Sequence, residues 1–100
     1  MLRHVVLFAW KDGTPPETIR EIEDAFRALP GKIPEVQSLE WGTDVSVEGL
    51  AEGLTHCFLV TFATAADRDV YLPHPDHAAF GALIRPHLER VLVFDYHPQD

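Results

Sequence analysis

The segment Tyr71-Leu72-Pro73-His74-Pro75-Asp76-His77 sets a phenol and two imidazoles around two prolines. Histidine is the side chain whose ordinary pKa, about 6.5, lies nearest neutrality. A neutral imidazole within hydrogen-bond reach can take a proton from a carbon beside a carbonyl. A tyrosine hydroxyl can donate to the enolate oxygen that develops. His77 and Tyr71 together therefore suit the first step of an aldol closure. The proline-bounded break lets the chain turn between them, so that both can point into one cavity. His4 and His56 share strand parity with Phe8 and Phe58, which turns both imidazoles toward an apolar interior. Burial there would keep an imidazole neutral and able to take a proton. His4 is assigned to orient a partner or the substrate from the sheet side.

The structural alternative is plain. Pro73 to His77 can be a rigid turn at the head of a helix, with His77 donating to a carbonyl and Tyr71 packed as a core aromatic. His4 and His56 can bond each other or a tyrosine. His74 reads as an exposed turn residue, and His87 and His97 as surface histidines. His74 and His77, three apart with Asp76 between them, show no evident third zinc ligand, where such sites use three or four, so no metal is expected. Cys57 has no obvious base and reads as a core or interface thiol. Gly49 and Gly53 lie in an acidic loop that would repel phosphate. Ser38 and Ser46 have no triad context. Glu17, Glu21, Glu23 and Asp24 read as a solvated helix face, and no cofactor is expected.

These side chains need elements to hold them. His4 to Trp10 is β-branched and aromatic and predicts a strand. Thr14, Pro15 and Glu17 predict a helix start with Thr14 as cap and Pro15 in the first position. Ile19, Ile22, Phe26 and Leu29 give that helix one apolar stripe, and Pro30-Gly31 should end it. Val36 to Val45 predicts a second strand, with Leu39 and Trp41 on one face. Ser46 to Gly53 is a loop, and Thr55 to Ala63 a third strand. A capped helix runs from Thr64 through Leu72. Asp76 can cap a second piece carrying His77, Phe80, Leu83 and Ile84, and Pro86 should kink or restart it. Val91 to His97 is the last strand. The order β-α-β-β-α-β predicts an α+β fold, the ferredoxin-like split βαβ with a four-stranded antiparallel sheet.

A broken second helix cannot pack tightly along its whole length. A largely apolar cavity is therefore expected between it and the sheet. Its expected walls are Val6, Phe8, Phe26, Phe58, Leu88 and Val93, with His56 beside them. Apolar lining with a few convergent polar groups is usual for ligand sites. A small apolar or ketone-bearing ligand fits that description.

The chain has 100 residues, which predicts one domain over 1–100. A net charge of -8 without a Lys/Arg cluster argues against nucleic acid and anionic membrane surfaces. No apolar run approaches the roughly 20 residues of a membrane span. The opening strand is too short for a signal peptide, and a single cysteine permits no internal disulfide. The cytoplasm is the expected compartment. Both faces of the predicted sheet are apolar, yet two helices cover only one. A bare apolar face of that size calls for a cover, and a second copy is the simplest. Val5, Leu7, Leu59, Leu92 and Phe94 are the expected homodimer contacts.

The same residues resemble a family. His4-Val5-Val6-Leu7-Phe8, Trp41-Gly42 with its acidic loop and Thr55-His56, the run Tyr71 to Phe80, and Val93-Phe94-Asp95-Tyr96 are together similar to the stress-responsive α/β-barrel (Dabb) domain family. The resemblance spans essentially the whole chain. It implies a homodimeric α/β barrel in which two sheets face each other. Family members of the olivetolic acid cyclase type close a polyketide chain by an aldol reaction. Their histidine and tyrosine match His77 and Tyr71, and a first-strand histidine matches His4. The resemblance thus implies a cofactor-independent cyclase-like lyase. Two alternatives stand beside it: a non-catalytic stress-response or ligand-binding dimer, and a cofactor-free monooxygenase-like enzyme.

Overall fold

A computed structural model describes residues 1–100. Strand β1 (Leu2–Trp10) leads to helix α1 (Pro16–Lys32), then to β2 (Ser38–Thr43) and β3 (His56–Phe62). Two helices follow, α2 (Ala65–Tyr71) and α3 (Pro75–Ile84), then a 3₁₀ turn (Arg85–His87) and β4 (Leu88–Tyr96). The strands form one sheet in the order β2-β3-β1-β4, antiparallel throughout. This is the four-stranded ferredoxin-like arrangement that the element order predicts.

Side chains alternate between the faces of a strand, and β1 follows that rule. Leu2, Val6 and Phe8 enter the core with Phe58, Val60 and Phe62 of β3. Helix α1 lays Ile22, Phe26 and Leu29 on this face, and Ile33 follows just past its end. Phe26 stacks on Phe58 with ring centroids 4.1 Å apart. On the opposite face Val5 lies between Leu59 and Phe94, and Leu7 lies between Cys57 and Leu92. No helix covers this side. Leu92 is 46 % exposed and Phe94 66 %.

Several local expectations change. The Thr14 hydroxyl donates to the Lys11 carbonyl and caps nothing, so α1 starts at Pro16 with Pro15 as its cap residue. Pro30 lies inside α1. In the last turn it removes only one helical hydrogen bond, and the fully buried Ile33 anchors the end beyond it. Strand β2 stops at Thr43, where the chain leaves the sheet for an exposed loop. His74, not Asp76, caps α3: its Nδ1 accepts from the Asp76 amide at 3.1 Å, and Pro75 takes the first position. Pro86 tightens the chain into the 3₁₀ turn before β4.

Candidate active site

A cavity of about 300 Å³ opens between β1, β4, α2 and α3. Its position follows from the sheet. Val91 and Val93 face the helix side, being paired with Phe8 and Val6, yet they are 43 % and 57 % exposed. The helices cover the central strands and leave the inner surface of β4 open. Val6, Phe8, Phe26, Leu88 and Val93 line the space, with Phe80 and Ile84 from α3. His4, Tyr71 and His77 reach it from three different elements.

Tyr71 is the last residue of α2 and is 1 % exposed. Burial alone pushes its hydroxyl up from the usual tyrosine range, so it stays protonated and able to donate. His77 sits in the first turn of α3, with its ring 4.5 Å from that of Tyr71. The last carbonyls of a helix have no partner within it, and the Leu72 carbonyl at the end of α2 is one of these. The His77 Nδ1 lies 2.9 Å from it. A carbonyl only accepts, so Nδ1 carries the proton and Nε2 is left as the acceptor. Burial is the first cause that lowers the His77 pKa; the hydrogen bond to Leu72 opposes it, and His4 and His74 add to it. The half-buried imidazole is therefore neutral at pH 7 and has one free basic nitrogen.

His4, 4 % exposed, approaches from β1. Its Nδ1 lies 2.6 Å from the Asp95 carboxylate, and the other Asp95 oxygen accepts from Arg68 at 3.1 Å. The His4 ring meets Tyr71 edge-on at 6.1 Å. The carboxylate accepts from Nδ1–H and leaves Nε2 of His4 unprotonated in the neutral ring. Asp95 was not foreseen as a site residue, although its signal was legible. From Val91 onward it is the one charged residue of β4 sharing the inward parity of Val91 and Val93.

The expected pairing of His4 with His56 does not occur. Register sets His4 opposite Val60 and His56 opposite Phe8, four strand positions apart. His56 also lies away from the cavity that it was assigned to line. Its Nε2 bonds Glu23 of α1 at 2.7 Å, and its Nδ1 accepts from Trp10 and Thr55. Glu23 is consequently not part of a purely solvated face. Phe58, another expected wall, is fully buried in the core behind Phe8 and Phe26. His74 is occupied as a helix cap, and His97 bonds the Met1 carbonyl.

A larger hollow of about 570 Å³ lies on the opposite face, beneath the loop between β2 and β3. Cys57, Leu7, Leu92 and Arg90 line it. Burial first, then Glu40, raises the Cys57 thiol, which disfavours the reactive thiolate. The His56 nitrogens at its edge are both engaged. This hollow offers no free imidazole. No group of three or more His, Cys, Asp or Glu is placed to hold a metal ion, and no helix is long and apolar enough to cross a membrane.

Comparison with known proteins agrees with this architecture. The stress-responsive A/B barrel domain model matches residues 2–98. The chain is 38% identical to the stress-response A/B barrel domain-containing protein HS1 of Arabidopsis thaliana, over 97% of this chain and 89% of that one. It is 32% identical to olivetolic acid cyclase of Cannabis sativa, over 98% of this chain and 97% of that one. Hydroxynitrile lyase from Passiflora edulis superposes with a TM-score of 0.89 at 30% identity, covering 95% of this chain and 90% of that one. A Thermobifida fusca protein, described as dimeric and ferredoxin-like, superposes at 0.79 with 30% identity, over 95% and 88% of the two chains. By the domain match and by these relatives, the chain belongs to the stress-responsive A/B barrel domain family.

Proposed function

We propose that this protein is a cofactor-independent, cyclase-like lyase that removes a proton beside a carbonyl in a small, largely apolar ketone. The observation that carries this reading is the His77 ring. Its Nδ1 is tied to the Leu72 carbonyl, which frees Nε2 in a cavity shared with the Tyr71 hydroxyl. In the proposed step, Nε2 takes the proton from the α-carbon and becomes imidazolium. The C–H electron pair moves into the enolate, and Tyr71 donates to its oxygen. The enolate carbon then attacks a second carbonyl of the same chain. The resulting alkoxide takes the proton back from His77, and the base is restored. His4, oriented by Asp95, holds the substrate or the tyrosine from the sheet side. A relative that is a cyclase and a neighbour that is a lyase support carbonyl chemistry on this scaffold.

The protein is further proposed to act as a homodimer joined through the helix-free face. Val5, Leu7 and Leu59 form a half-buried apolar patch there, continued by the exposed Leu92 and Phe94. A dimeric neighbour of the same fold supports this. The catalytic reading is tested by incubating the protein with acetophenone and longer aryl ketones in D₂O and following the α-protons by NMR. Deuterium wash-in above the buffer rate is the expected result. Ketones that bind without exchange would leave a ligand-binding dimer in its place.

A further inference from the structure

We propose that Arg85 makes this cavity selective for carbonyl compounds that carry an anion, a carboxylate in particular. The proposal rests on the reading of the cavity as a carbonyl-compound site and names the class of substrate. Two residues of fixed charge line the space, Asp95 and Arg85. Asp95 is committed, one oxygen to His4 and the other to Arg68. Arg85 makes no ion pair, unlike Arg27 and Arg68. Its amide closes the end of α3 on the Gly81 carbonyl, while the residue is exposed and its guanidinium enters no ion pair or hydrogen bond within the chain. An unpaired cation beside an apolar cavity, on a protein of net charge -8, leaves a positive spot for a ligand anion.

The helix sets the spacing. Side chains on a helix lean toward its N-terminus, and Arg85 does so. Its Nη2 comes within 3.5 Å of the place where a Gly81 side chain would begin. Gly81 itself lines the cavity, so this contact sets the guanidinium at the cavity wall. Gly81 is one turn beyond His77, roughly 6 Å along the axis. A ligand whose enolisable carbon sits at His77 therefore presents its anion a few bonds away. Arginine offers the planar fork that matches a carboxylate.

The test compares γ-benzoylbutyrate with its methyl ester by isothermal titration. The wild type should bind the acid about tenfold more tightly, the size of one charge-assisted hydrogen bond. Added salt should narrow the difference. Arg85→Gln should abolish the preference and leave ester affinity unchanged, while Arg85→Lys should keep part of it. His77→Ala should retain the full preference, which separates this proposal from the catalytic one. Acid preference without deuterium exchange would sink the catalytic reading alone. Equal affinity for acid and ester, binding of neither, or an undiminished preference in Arg85→Gln would overturn the anion site.

Discussion

Burial moves Tyr71 and His77 in opposite directions, and both end up neutral. A neutral donor and a neutral base can share an apolar cavity without the cost of an unpaired charge. Their separate roles can be measured. Tyr71→Phe should keep the fold, because no partner in the chain depends on the hydroxyl, and should slow α-proton exchange by up to roughly a hundredfold. Pure binding of the ketone should change little. The pH dependence follows from His77. Its folded pKa lies below the unfolded value of about 6.5. Between the two, the unfolded chain holds more protons, so stability rises with pH across that window and falls as acid passes through the lowered value. The rate should stay high down to below pH 6.5 and then fall as Nε2 is protonated. Urea titrations and a pH–rate profile check the two halves, and His77→Asn should flatten the stability component.

Strands β1 and β4 carry their information in alternation, and that was readable from residue types alone. His4, Val6 and Phe8 face the helices, and Val5 and Leu7 face away. The helix ends were less legible, because they depend on which of several neighbouring polar groups wins a backbone amide. Thr14 and Asp76 both look like caps, yet Pro15 and His74 hold those positions. Partners across elements were less legible still. The Glu23–His56 bond joins α1 to β3, and the Asp95 carboxylate ties β4 to both β1 and α2. Nothing in local sequence reports such pairings, since they depend on register and on helix placement. Asp95→Ala should leave the buried His4 Nδ1–H without an acceptor and cost about 1–3 kcal/mol of stability. Thr64→Ala removes a hydroxyl that accepts from the Asp67 amide at 3.2 Å and should cost about 1 kcal/mol. Urea denaturation of each variant measures both, and the larger loss should belong to Asp95.

The whole molecule divides its two faces between two tasks. The helix side holds the cavity, and the bare side offers an apolar surface for a second copy. Phe94 is central to that surface, beside Val5 and near Tyr96. Phe94→Asp places a charge there and should turn a dimer mass into a monomer mass by light scattering at micromolar concentration. The cavity is open within the single chain, so ketone binding by this variant should persist if the monomer stays folded. The central claim is that His77 is the base of that cavity. Its most direct measurement is α-deuterium incorporation into γ-benzoylbutyrate at pH 7, compared between the wild type and His77→Ala, with binding of the same ketone titrated in parallel. The account predicts that the variant still binds the ketone but exchanges its α-protons at least about a hundredfold more slowly. Equal exchange rates in the two proteins, at equal occupancy, would contradict it.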